Sequence, residues 1–331
     1  MLKRNLTVLV IGDVMLDTYL HVDVNRISPE SPTPICDVIN TTYSPGGAGN
    51  VAANIVSLGG KAILVGAGAV DNYGERLHDT LHSFKIDNRI MFIANKTANK
   101  VRTVSDHHHI IRHDYSNEID WNVKNRKTFI SNLAYIRRNN NIDAVIISDY
   151  NKGLINQEIY MAICDEIRED TPIFIDTKQL FTEFKHGKKL FAFTPNLNEF
   201  DKNIKHFGLH NTLETLLTYI NTTQGIKVNN LLVTCGKDGM KLGKFNYGIY
   251  EEWEIDPLKK LSVYDVTGAG DTAIATYVMA VLSGYESERA AGLANIASGI
   301  AVSKLGTSTI SLSELYELSA EIEIDNIIRK L

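Results

Sequence analysis

Short apolar runs alternate along this chain with longer stretches of helical spacing. LTVLVIG (6–12) has the pattern of a buried strand. GNVAANIVSLG (49–59) predicts a helix, with apolar residues at 51, 55 and 58 on one face and Gly59 as its stop. KAILVGAG (61–68) reads as the next strand and YGERLHDTLHSF (73–84) as the next helix. DAVIISD (143–149), PIFID (172–176), LFAFT (190–194) and NNLLVTCG (229–236) are further buried-strand patterns. Apolar runs of this length between helices predict an α/β fold with a largely parallel central sheet flanked by helices on both faces.

Two segments break the rhythm. Residues 17–43 hold DTYLHVDV and TPICDVINTTY with prolines between them, and residues 99–115 read NKVRTVSDHHHIIRHDY. Both have the alternating character of short antiparallel strands outside the main sheet, forming a small β lid. No repeat, linker or shift in composition marks a boundary, so the expectation for residues 1–331 is a single domain with lid segments near 17–43 and 99–115.

Composition narrows the class. The apolar fraction of 44% and charged fraction of 22% are those of an ordinary globular protein. A net charge of −5 gives no basic surface for nucleic acid. Cys36, Cys164 and Cys235 lie far apart without a CxxC pair, which argues against a disulfide framework and for a reducing, cytoplasmic setting. The first apolar run meets Asp13 too early for a signal peptide, and no stretch is long enough to span a membrane.

The chemistry starts at YDVTGAGDTAIATYVMA (264–280). Small residues at a helix start let an anion approach unpaired N–H groups, which carry the positive end of the helix dipole. Gly268, Ala269 and Gly270 therefore suit an oxyanion or phosphate. A carboxylate at the same spot would repel a phosphate, so Asp271 makes sense as a base that deprotonates an attacking hydroxyl. The plain alternative is a helix cap. No P-loop or GxGxxG is present. Other polar groups also fall at strand ends, where open α/β sheets bind ligands: Asp13 and Asp17, Gly46, Gly47 and Asn50, Asn196 and Glu199, and Thr234, Gly236 and Gly239.

With GGAGN (46–50) and DVTGAGD (265–271) in this order, the chain resembles the ribokinase (PfkB-type) family of sugar kinases over nearly its whole length. The stretches 12–38, 44–60, 148–154, 194–200, 263–272 and 304–311 are similar to heptose-7-phosphate kinases within that family. Those kinases phosphorylate the anomeric hydroxyl of D-glycero-D-manno-heptose 7-phosphate for ADP-heptose and lipopolysaccharide core synthesis. Many are fused to a nucleotidyltransferase domain carrying HxGH. HFGLH (206–210) has the wrong spacing for that motif, so a stand-alone kinase or a kinase half is expected.

The resemblance implies a ribokinase-like fold, ATP and Mg²⁺ as co-substrate and metal, and a homodimer. It makes Asp271 the base and Gly268, Ala269 and Gly270 the anion hole. It places Asp17, Gly46, Gly47 and Asn50 on sugar hydroxyls, with Asp13 capping a turn and orienting Asp17. Asn196 and Glu199 would order Mg²⁺ and phosphate through water, since Mg²⁺ keeps several waters. Helix capping is their alternative role. Thr234, Gly236 and Gly239 would lie by the ATP phosphates and ribose, and Asn295 by the adenine. Asp265 and Thr267 match positions that bind a monovalent cation, such as K⁺, in some relatives.

A 7-phosphate needs cations, for which Lys100, Arg102, Arg112 and Lys178 are the candidates. Lys178 stands in IDTKQ, where the resembling kinases have Asp-Pro-Lys. The triplet His107–His109 departs from the pattern. On a strand His107 and His109 share a face, but further zinc ligands are not evident, and a polar lid strand is the simpler reading. Competing functions are a kinase of another sugar, sugar phosphate or nucleoside, a non-catalytic sugar sensor, and a scaffold that docks a separate nucleotidyltransferase.

Overall fold

Val8, Leu9, Val10 and Ile11 are all completely buried, as a strand must be when helices cover both of its faces. The computed structural model describes residues 1–106, 108–246, 248–258 and 263–331. The first part of the chain runs β1 (Thr7–Gly12), β2 (Val14–Ile27), β3 (Pro34–Gly47), α1 (Ala48–Ser57), β4 (Lys61–Val65), β5 (Ala67–Gly68), α2 (Asn72–Ser83), β6 (Asp87–Asn88), β7 (Met91–Phe92), β8 (Asn99–Ser105) and β9 (His108–Tyr115). The middle follows with α3 (Val123–Asn139), β10 (Ala144–Asp149), α4 (Gln157–Glu166), β11 (Ile173–Thr177), β12 (Leu190–Phe193), α5 (Leu197–Phe207) and α6 (Leu213–Thr222). The last part comprises β13 (Val228–Thr234), β14 (Met240–Asn246), β15 (Ile249–Ile255), α7 (Ala269–Leu282), α8 (Ser287–Val302), α9 (Leu312–Ile322) and β16 (Ile328–Lys330).

The main sheet has the order β16-β15-β14-β13-β12-β11-β10-β1-β4-β6. It is parallel from β13 across to β6, and β14, β15 and β16 extend it as an antiparallel edge. Alternate residues of each strand feed two cores. Val8 and Val10 pack with residues of α1, α7 and α8, while Leu9 and Ile11 pack with residues of α3, α4 and α6. The expected parallel sheet with two helical layers is therefore present.

The lid segments form a second sheet of order β3-β2-β8-β9. The expectation of antiparallel pieces holds for β2 with β3 and β8 with β9, but β2 pairs with β8 in parallel. The reason is topological. The chain between β2 and β8 passes through α1 and β4, so β8 returns running the same way. Among the described residues no helix is long and apolar enough to cross a membrane.

Candidate active site

The helices α1 and α7 pack side by side, so their N-terminal turns meet beyond the carboxyl ends of the parallel strands. Gly268 caps α7 with φ 79°, a left-handed conformation that only glycine adopts without strain. A Cβ there would stand 2.6 Å from Asn50 Nδ2. One turn into α7, buried Asp271 accepts hydrogen bonds from Asn50 Nδ2 (2.9 Å) and the Tyr150 hydroxyl (2.6 Å). Burial pushes its carboxyl up to about 6, against the lowering effect of these two donors; the charge of Asp17 adds to the rise. Among the described residues the N–H groups of Gly270 and Asp271 have no acceptor, and the space above Gly270 is open. This is the geometry of an anion-accepting turn with a base beside it.

Asp17 lies on β2 next to the GGAGN turn. A Cβ on Gly46 would sit 2.7 Å from Asp17 Oδ2, so a glycine there makes room for the carboxylate. Gly47 has φ +57°, and a Cβ on it would meet the Asp13 carbonyl at 2.4 Å. Asp17 is paired with Arg102 at 2.7 Å, both side chains being 5% exposed, and it accepts the Thr307 hydroxyl at 2.7 Å. Arg102 is thus committed to Asp17, and Arg112 forms an ion pair with Asp114 on its own strand. Neither arginine is a free phosphate ligand in this conformation. Asn50 is likewise engaged, donating to Asp271 and accepting from Asn54.

The two lysines differ. Among the described residues neither Lys100 nor Lys178 has a carboxylate within ion-pair distance. Their ammonium groups lie 5.5 and 4.3 Å from the centre of the Tyr150 ring. Burial lowers Lys100 below the ordinary lysine value, and Lys178 and Arg102 push the same way.

Asp13 caps a turn. Its carboxylate accepts the backbone N–H groups of Tyr150 (2.8 Å), Lys152 (2.9 Å) and Leu154 (3.3 Å), so it fastens the loop after β10. Burial raises Asp13 to about 6 in spite of these donors.

On the opposite side, Asn196 and Glu199 close a reciprocal capping box at the start of α5, with bonds of 3.0 and 2.8 Å. The helix-capping role is therefore real, and it holds Glu199 in place. Asn196 also bridges to Thr234 at the end of β13. Gly236 sits in open space, whereas a Cβ on Gly239 would lie 2.1 Å from the Ile255 carbonyl, so Gly239 answers to the tight turn into β14. Asn295 ties α8 to the strand-end segment by donating to the Asp256 carbonyl at 2.8 Å.

Asp265 accepts the N–H and hydroxyl of Thr267 on one oxygen and the Gly306 N–H on the other. That second oxygen also has His109 Nε2 at 3.4 Å, so a lid strand reaches the glycine-turn segment through one histidine of the triplet. A monovalent cation on this oxygen would compete with His109. His107 lies outside the described residues. Among the described residues no group of three or more His, Cys, Asp or Glu side chains is arranged to hold a metal ion.

The sequence reading missed Tyr150, Thr307 and Asp176. Tyr150 was within reach, since it follows a strand end and precedes the turn residues Asn151 and Gly153, both left-handed. Asp176, near the end of β11, is driven well above the ordinary carboxyl value by burial, then by Glu199 and Asp271. A separate polar bowl lined by Asn5, Lys61 and Asp143 opens at the other ends of the strands and holds none of the candidate residues.

A carboxylate at the mouth of a glycine-capped helix, on this sheet, suits a sugar kinase. The chain belongs to the pfkB family of carbohydrate kinases, whose family model matches residues 5–314. Among curated proteins it is similar to the bifunctional protein HldE of Vibrio vulnificus (strain YJ016), 36% identical over 318 residues, which is 95% of this chain and 63% of that one. It is also similar to HldE of Haemophilus influenzae (strain PittEE), 37% identical over 310 residues, covering 93% of this chain and 62% of that one. The chain thus spans less than two thirds of the length of these relatives. Among solved structures, phosphofructokinase-2 from Escherichia coli in complex with potassium superposes with a TM-score of 0.73 at 14% identity, covering 97% of this chain and 100% of that one. Arabidopsis thaliana ribokinase complexed with ribose and ATP gives 0.68 at 17%, covering 95% and 98%. The fold is therefore ribokinase-like.

Proposed function

We propose that this chain is an ATP-dependent kinase of D-glycero-D-manno-heptose 7-phosphate, acting on the anomeric hydroxyl to give the 1,7-bisphosphate. The observation that carries a kinase reading is Asp271, buried and doubly held beside the open N–H groups of the α7 turn. The similarity to HldE over 93–95% of the chain supports the heptose acceptor.

In this reading Asp271 takes the proton of the acceptor hydroxyl as its oxygen bonds to the γ-phosphorus of ATP. The bond from that phosphorus to the β,γ-bridging oxygen breaks, and ADP leaves. Within the Gly268–Ala269–Gly270 turn and Asp271, the N–H groups of Gly270 and Asp271 are open to the charge developing on the transferred group, while that of Ala269 is held by the Val266 carbonyl. Lys100 and Lys178 supply positive charge to phosphate. Mg²⁺, when bound, neutralises the nucleotide phosphates. Glu199 and Asp176, whose carboxyls are near enough to act on each other, would hold it through water. The lid sheet closes over the acceptor from the side of Asp17.

A second reading, a kinase of an unphosphorylated sugar, has one observation in its favour. Of the four cations expected to meet the acceptor phosphate, Arg102 and Arg112 are each paired with a carboxylate, which leaves Lys100 and Lys178. ADP release with ATP and Mg²⁺ over heptose 7-phosphate, fructose 6-phosphate, ribose and adenosine separates the readings. Turnover confined to heptose 7-phosphate is expected. Turnover with ribose instead would discard the heptose acceptor and keep the kinase. Silence across the panel with ATP still bound would favour a sensor.

A further inference from the structure

The loop after β10 carries a side chain that no motif assigned to the chemistry. Tyr150 donates its hydroxyl to Asp271 Oδ1 at 2.6 Å, while Asn50 holds Oδ2. We infer that Tyr150 is the positioning residue of the base: it fixes the Asp271 carboxylate by one hydrogen bond and keeps it ionised at working pH. The inference rests on reading Asp271 as the base.

Three features of the structure support it. The loop is over-determined: Asp13 takes the N–H groups of Tyr150, Lys152 and Leu154, and Asp149 takes that of Asn151 at 2.9 Å. Asp149 is itself held by Thr177 and Gln179. Lys100 and Lys178 each lie over the Tyr150 ring, and their charges favour an aromatic face and restrain its rotation. The phenol also keeps its proton, so it can donate to the carboxylate. Burial raises it well above the ordinary tyrosine value, and Asp271 and Asp176 push it the same way.

The electrostatic setting gives the hydrogen bond work to do. Asp271 is buried and faces Asp17 and Asp176, which disfavour its charge, and Lys100, which favours it. Asn50 is neutral. A donor to the carboxylate favours the ionised form, so the Tyr150 hydroxyl opposes burial and the acidic neighbours. Each Asp271 oxygen accepts one bond and retains a lone pair, so the acceptor hydroxyl can deliver its proton while Tyr150 keeps its own.

Tyr150→Phe removes one oxygen atom and leaves the ring under the lysines. The test has two readouts. The first is the pH profile of kcat/KM, whose acidic limb should move up by about one pH unit in Tyr150→Phe. The second is a carbon-13 NMR titration of the Asp271 carboxyl, assigned by its loss in Asp271→Asn, which should move by the same amount with or without turnover. An unmoved titration, with activity lowered equally at all pH, would overturn the inference and leave Tyr150 as packing. Should Tyr150→Phe not fold, 3-fluorotyrosine at position 150, a stronger donor of nearly the same volume, should lower the Asp271 titration; no change would again overturn it. A wild-type protein silent toward every sugar, with the NMR shift present, would uphold the Tyr150–Asp271 coupling and discard the kinase role of Asp271.

Discussion

Asn50, in the first turn of α1, donates its side-chain amide to Asp271 Oδ2, in the first turn of α7, across 221 residues of sequence. The bond locks two helix starts together at the point where Gly268 makes its left-handed turn. Asn50→Ala should lower stability by about 1–3 kcal/mol, because a buried carboxylate loses a donor, and should also reduce turnover. Gly268→Ala places a Cβ against Asn50 and should cost ~1–2 kcal/mol in backbone strain alone. Chemical denaturation of both variants checks this; unchanged midpoints would remove the lock.

Asp271→Asn keeps the shape and both neighbours but cannot accept a proton. Turnover should fall by roughly 10²–10⁴ with nucleotide binding nearly unchanged. Single-turnover kinetics alongside calorimetric ATP titration would show it. Activity close to wild type would take Asp271 out of the base role.

Asp271 and Asp13 both titrate near 6 in the folded chain, above the ordinary aspartate value. The folded state therefore binds more protons than the unfolded one between about pH 4 and pH 6. Their contribution to stability is present in full below about pH 4 and is lost as the pH rises through about 6. Each group contributes on the order of 1–3 kcal/mol to this slope. Melting curves across that range should decline less steeply in Asp271→Asn than in wild type; parallel slopes would contradict the raised value. Activity runs the other way, since the base must be ionised, so turnover should rise through about pH 6.

Arg102 and Lys178 look alike in sequence as basic residues near the site, yet they should fail differently. Arg102→Ala leaves Asp17 buried and unpaired, and a loss of about 3–5 kcal/mol is expected. Lys178 is exposed and has no carboxylate within ion-pair distance among the described residues, so Lys178→Ala should melt like wild type while losing turnover or acceptor affinity. A stable Arg102→Ala protein would mean that its pair with Asp17 is not structural.

The small sheet leaves β3 and β9 as open edges, with Val38, Ile39 and Ile111 at 58%, 66% and 49% exposure. We expect a second copy of the chain to cover this surface as a homodimer. Light scattering at micromolar concentration should give twice the chain mass, and a Val38→Glu, Ile111→Glu double variant should give one. A wild-type monomer would discard the dimer.

The main sheet was legible because its strands are buried on both faces, so each reads as an unbroken apolar run, as in AVIISD of β10. The β14–β15 hairpin was not. MKLGKFN and IYEEWEI alternate apolar residues with Lys and Glu, and their strand character depends on pairing at a sheet edge. At the site, the glycines and Asp271 announced themselves because a helix start needs a backbone that only small residues give. Arg102 could be found as a cation but not as the partner of Asp17, because that pairing depends on the parallel register of β2 with β8. Tyr150 is a common residue in an ordinary turn, and only the distance to Asp271 gives it meaning.

Asp17 and the Thr307 hydroxyl that it accepts stand 290 residues apart. A chain emerging from the ribosome would make β1, β4 and β10 meet long before that bond can close. Contacts of such separation are the slow ones in folding. The Asp17–Thr307 contact is therefore a late event in the life of the molecule. An intermediate in which only β1, β4 and β10 have met would still lack this contact and the part of the core that Ile310 and Leu315 complete, so closure of the contact, rather than strand content, would report the end of folding.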